Sequence, residues 1–221
     1  GLSIVDTKGT LSNPGDDELI VTYDSTTDPQ IGSFGDSVAF HSHLDSSSGL
    51  LYVSTGAGLS VIDTNGTATS SDDNLVVTYD NTSSPAIASF AAQVFHSHLE
   101  STNDFLYIST EDGLVVLDTN GTATSTDDII VTTYDSSFDP SMSSYVLHSQ
   151  FDPATDLLYV GHDFGLSVIN TAVDDLVITY NANSDPAIGE TGDLPDVNHS
   201  HYDSATGFLF VSSDRGDLVY V

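Results

Sequence analysis

The sequence predicts an all-β fold built from repeated four-stranded antiparallel units, and three observations support it. First, a His-Ser pair recurs at His41, His96, His148 and His199, in steps of 55, 52 and 51 residues. Second, each pair is followed by the same run of short apolar segments and tight turns. Third, no segment holds an apolar 3.6-residue period long enough for a helix. A period near fifty residues made of four short strands is the signature of a β-propeller blade. The chain reads as one domain, 1–221, covering about four to five blades of 51–55 residues.

The clearest copy runs from Ser37 to Thr64. Ser37–Leu44 is the inner strand, Leu50–Thr55 the second and Leu59–Asp63 the third. Between them, Asp45–Gly49 and Gly56–Gly58 hold the Asp, Ser and Gly that tight turns require. Outer strands are expected at Leu19–Tyr23, Leu75–Tyr79, Ile129–Tyr134 and Leu176–Tyr180. Connections back to the next inner strand contain Asp28-Pro29, Ser84-Pro85, Asp139-Pro140 and Asp185-Pro186, where proline ends the outer strand. Ala86-Ile87 and Ala187-Ile188 follow two of these prolines and are expected between blades. The longest connection, through Gly189–Pro195, is the expected irregular functional loop. Period-2 alternation places Phe40, Ser42 and Leu44 on one face, and Ala39, His41 and His43 on the other. Tyr52, Tyr107, Tyr159 and Phe210 are expected in the inter-blade core.

The third strand occurs five times, because the chain opens on Gly1–Asp6 and stops within Asp217–Val221. This fits a segment of a longer array, or blades completed by a neighbouring chain, which would hide raw sheet edges. The start without Met fits a processed or excised chain. The core written Tyr52-Val53-Ser54-Thr55 and Gly58-Leu59-Ser60-Val61-Ile62-Asp63 resembles the YVTN-type and two-component-regulator-type propeller repeats. That resemblance implies a propeller. It also implies, by analogy with YVTN-type repeats in surface-layer proteins, a cell-surface setting.

Charge narrows the partners. The net charge is −31, from 33 acidic and 2 basic residues, and 29 of the acids are Asp. Asp excess belongs to turns and loops, and such charge calls for screening by salt or divalent cations. With only Lys8 and Arg215 as permanent cations, a phosphate-tracking groove for nucleic acid is excluded. Anionic membrane surfaces are disfavoured, and no apolar run reaches transmembrane length. With no Cys there is no disulfide, thiolate metal site or c-type haem attachment. There is no phosphate-cradling Gly loop for a nucleotide, and no G-x-S-x-G nucleophile motif.

Three sets of candidate site residues remain. His41, His43, His96, His98, His148, His199 and His201 share inner-strand slots, with Gln150 in the eighth. His-x-His on a strand puts two imidazoles about 7 Å apart on one face, where they suit an axial transition metal. The alternative is structural: the imidazoles hydrogen-bond backbone or the acids Asp45, Glu100, Asp152 and Asp203 between blades. Oxygen ligands for calcium are Asp63, Asn65, Asp72 and Asp73, repeated as Asp118, Asn120, Asp127 and Asp128. Sequons at Asn65, Asn81, Asn120 and Asn198 offer glycosylation in an exported protein. The leading functional expectation is an extracellular or cell-surface structural and interaction module that self-associates into a surface layer or filament. The alternatives are a metal-dependent enzyme with an axial metal and a ligand-sensing propeller of a larger receptor.

Overall fold

A computed structural model of the chain describes residues 1–9, 15–32, 38–67, 70–89, 93–122, 124–188, 196–214 and 219–220. The expected loop at 189–195, Arg215 and parts of the chain's ends and connections lie outside these residues. Among the described residues there are seventeen strands and one short 3-10 turn, Ser70–Asp72. Three sheets have four antiparallel strands in sequence order. They are β3–β6 (Ala39–Asp45, Leu50–Thr55, Gly58–Asp63, Asn74–Tyr79), β7–β10 (Val94–Glu100, Phe105–Thr110, Gly113–Asp118, Ile129–Tyr134) and β11–β14 (Val146–Asp152, Leu157–His162, Gly165–Asn170, Asp175–Tyr180). The row begins with a two-stranded ribbon, β1 (Leu2–Asp6) and β2 (Glu18–Tyr23), and ends with β15 (Val197–Asp203), β16 (Phe208–Ser213) and β17 (Val219–Tyr220). The architecture is that of consecutive propeller blades. No sheet is closed on itself.

Local chemistry fixes each blade. After every inner strand the acid folds back on its own turn, as where Asp45 accepts from the Ser47 and Ser48 amides at 3.0 and 3.2 Å. Thr55 Oγ1 donates to Gly58 O at 2.8 Å and closes the next turn. The Gly-Leu that opens each third strand has a steric cause. Gly58, Gly113 and Gly165 have φ between 127° and 138°, and a Cβ there would lie 2.1–2.9 Å from the carbonyl of the outer-strand tyrosine.

The alternation expected in the inner strand needs one correction. Ala39 pairs with Thr55 but His41 pairs with Ser54, so Phe40 is an extra residue and the strand bulges. The bulge turns Ala39 to the face opposite His41 and His43. It recurs between Val94 and His96, Val146 and His148, and Val197 and His199. As a result Ala39, Val94, Val146 and Val197 pack backward on the preceding sheet while the histidines face forward.

Stability resides between the sheets. Each interface joins Tyr, Leu, Val and Ile of one second and third strand to their counterparts in the next sheet. Tyr52, Tyr107 and Tyr159 are buried there as expected, and Phe210 is half-buried. The residue two positions after each connection proline seals the seam: Ile31, Ile87, Met142 and Ile188 are all buried. The Ala-Ile signal marked only two of these four. A hydroxyl pair also crosses each of two seams, Ser54–Ser97 at 3.0 Å and Ser109–Ser149 at 3.2 Å.

Gly161 breaks this pattern where its sister strands have Ser54, Ser109 and Ser212, and the reason is close packing. A Cβ at Gly161 would stand 2.7 Å from Val197 O in the following sheet. Restoring the repeat's serine, Gly161→Ser, is therefore expected to destabilise the fold by about 1–3 kcal/mol through overpacking. A lowered denaturant midpoint at unchanged slope is the expected reading.

Candidate functional site

The forward-facing histidines form a continuous row. The rings of His41, His96, His148 and His199 follow one another across four sheets, with centroids 4.1, 4.3 and 4.2 Å apart and planes tilted by 36–47°. A second row runs alongside, with His43, His98, Gln150 and His201. His98 stacks on Tyr107 at 4.8 Å, while His43 and His201 lie against Tyr52 and Phe210 at 6.3 and 6.4 Å. Between the later blades a cavity of about 240 Å³ is lined by His96, His98, His148, Gln150, His199 and His201.

The expected hydrogen bonds from these imidazoles to turn acids are not what the structure shows. Asp45, Glu100, Asp152 and Asp203 accept from their own turns, as with Thr102 Oγ1 on Glu100 at 2.8 Å and Thr206 Oγ1 on Asp203 at 2.7 Å. The imidazoles meet one another instead. His148 Nδ1 lies 3.4 Å from the Ser200 amide, which donates to it, so this ring's proton sits on Nε2. In the second row Gln150 Oε1 accepts from the Tyr202 amide at 2.8 Å, linking adjacent inner strands. Both ring nitrogens of His98 are buried without a hydrogen-bond partner, an uncommon condition for a polar group. Among the described residues, no three His, Asp or Glu side chains are disposed to share one metal ion.

Burial holds this row neutral. His98 and His148 are pushed down to about 3, first by loss of hydration and then by the charge of neighbouring histidines. His96 is lowered further for the same reasons, and His41 and His199 are lowered too. His162 stands apart, at the position held by Thr55, Thr110 and Ser213 in its sister strands. Its Nδ1 accepts from the Phe164 amide at 3.1 Å, so Nε2 donates to Ser167 Oγ at 3.0 Å, and burial lowers it to about 4.

The calcium candidates divide into two roles. Asp63 and Asp118 accept from the Asn65 and Asn120 amides, both at 2.8 Å, which shapes the turn. The Asn65 and Asn120 side chains donate to Asp72 O and Asp127 O at 2.5 and 2.7 Å, while Thr67 and Thr122 hydroxyls bond the Asp72 and Asp127 carboxylates. Asp73 and Asp128 instead pin neighbouring blades: Tyr23 OH donates to Asp73 and Tyr79 OH to Asp128. Tyr134 OH repeats the pin on Asp174 at 2.8 Å. Burial and these carboxylates raise all three phenols well above their ordinary range. The sequence signals repeated acids but not their tyrosine partners, which lie 40–50 residues earlier in the chain. One oxygen of Asp73 and one of Asp128 are buried without a hydrogen-bond partner, leaving room in the bonding pattern for water or a cation. Asn65, Asn81, Asn120 and Asn198 are exposed, with Asn198 at the β15 bulge.

No family model matches the chain, and no curated protein sequence does. Its likeness is to solved structures. The extracellular domain assigned to the hybrid two-component system BT3049 of B. thetaiotaomicron is similar at 15% identity and a TM-score of 0.63, over 92% of this chain and 24% of that one. The extracellular domain assigned to BT4673 of the same organism is similar at 17% and 0.62, over 93% and 25%. Hydrazine synthase of Kuenenia stuttgartiensis is similar at 14% and 0.52, over 88% and 46%. At these identities the likeness concerns the fold. The chain spans about a quarter of the length of the two extracellular domains.

The depressed imidazoles set a pH dependence. In the unfolded chain they titrate near 6.5, but in the folded chain they stay neutral until far lower pH. Their contribution is complete above pH ~7.5 and is lost as pH falls from about 6.5 toward 4, at about 1.4 kcal/mol per pH unit per histidine. Urea denaturation across this range should show that loss. His98→Gln, which copies the residue at position 150, should flatten it by one histidine's share.

Proposed function

We propose that this chain is a set of blades of an extracellular or cell-surface propeller that acts as an interaction module and associates head-to-tail with a second copy. One observation supports this most: the two flanks of the sheet row expose opposite halves of the interface buried four times inside it. On the forward flank, Phe208 is 53% exposed where its sister Leu50 is 6% exposed, and His199 and His201 are exposed too. On the backward flank, Val5 is 48% exposed where its sister Ile62 is fully buried. Seating Val5 of one copy on Phe208 and Phe210 of another repeats the internal packing. Such an interface is heterologous, so it extends into a filament unless it closes into a ring. The charge of −31 opposes association, so salt or divalent cations should favour it.

Ligand sensing as part of a longer receptor is the second reading. It is supported by the fold likeness to extracellular domains of two-component systems, of which this chain covers about a quarter.

Light scattering on the eluting protein tests the first reading. Mass should rise with protein concentration and with salt, and Phe208→Asp should return the protein to monomer at unchanged thermal stability. A monomer under all these conditions would contradict self-association and leave the sensing reading to be tested with ligands.

A further inference from the structure

We propose that the end of the sheet row where the inner strands begin binds an organic ammonium ion, held on the aromatic row Phe40–Phe95–Tyr145 and by the carboxylates of Glu111 and Asp163. Phe40 and Phe95 are the extra residues of two bulges, and Tyr145 directly precedes β11. Their rings touch across three consecutive blades, at 5.5 Å between the first pair and 4.9 Å between the second. Phe40 and Tyr145 are 47% and 38% exposed. Isolated exposed aromatics are ordinary on protein surfaces, but three in contact across separate sheets form a patch.

Acids reach the same end. The β8–β9 turn brings Glu111 and Asp112, and the β12–β13 turn brings Asp163, whose amide donates to Tyr145 O at 3.3 Å. Asp112 is occupied, accepting from the Ser89 amide and hydroxyl at 2.6 and 2.8 Å. Asp163 differs: its Oδ1 is buried without a hydrogen-bond partner. Burial, and then the charges of Glu111, Asp163 and Asp196, raise the Tyr145 phenol, in keeping with the acidic character of this end.

The ligand class follows from this combination. An aromatic surface attracts a cation through the ring quadrupole, and a neighbouring carboxylate adds a full charge. A bare metal ion has no use for the rings, a neutral ligand has none for the acids, and an anion is repelled by the whole molecule. Among the described residues the one Lys or Arg side chain, Lys8, is held by Asp6 and Glu18 at 2.7 and 3.0 Å. The site therefore suits an ammonium group on an apolar stem.

The test is an NMR titration with choline and with its tert-butyl analogue, in which carbon replaces the charged nitrogen, at matched ionic strength. Choline should shift the ring resonances of Phe40, Phe95 and Tyr145 saturably, and the analogue should bind about tenfold more weakly. Phe95→Leu and Asp163→Asn should each weaken choline by about fivefold. Glu111→Gln, at the turn surface, supplies the same test without touching packing. Asp175→Asn, on the outer strand β14, should leave binding unchanged. Equal affinity for the analogue, an equal loss in Asp175→Asn, or no saturable shift would overturn the proposal.

Discussion

The structure depends on one repeated contact: the forward face of each sheet closing on the backward face of the next. The strands themselves are short, mostly five to seven residues, and a single such sheet exposes apolar side chains on both faces. Stacking buries both faces at once. The tyrosine-to-aspartate pins then fix the outer edges of the sheets while the histidine row lines the inner edges. Turn chemistry, bulges and glycine positions all serve to present those faces in register.

The histidines show what repetition does to a polar residue. A neutral imidazole at a seam packs against the next imidazole at little cost, because no member need carry charge at neutral pH. Acid changes that balance, since a protonated ring beside three others loses hydration and meets like charge. The row therefore stabilises the fold at neutral pH and opposes it in acid. The second row behaves differently at Gln150, whose amide gives direct hydrogen bonding between inner strands.

Much of the fold was legible in the sequence because the repeat writes each element several times. The strand positions, the turn glycines and the seam tyrosines at 52, 107 and 159 follow from period, alternation and turn chemistry. The bulge was not legible. A single extra residue leaves no mark in an apolar-polar pattern, so alternation alone puts Ala39 on the face of His41 although it faces the other way. The roles of Asp73 and Asp128 were hidden for a different reason. Their partners, Tyr23 and Tyr79, are apolar-looking strand residues one blade earlier, and only the packing of sheets brings the phenols to the carboxylates. The pattern does not single out Ile31 and Met142, because the tetrapeptide around each proline varies while the burial of its last residue does not. Of the candidate sites, the sequence identified the histidine slots but not their ring-on-ring arrangement, which depends on the spacing between sheets.

The proposed self-association requires the two open flanks to be complementary halves of one interface. Because the chain contains no Cys, it can be tested by placing single thiols on each flank. Mixing Val5→Cys with Phe210→Cys under mild oxidation should yield a linked dimer well above the level from either variant alone. It should also exceed a control that pairs Val5→Cys with Thr206→Cys, on the exposed β15–β16 turn. Linkage no greater than in that control would contradict the complementarity of the flanks.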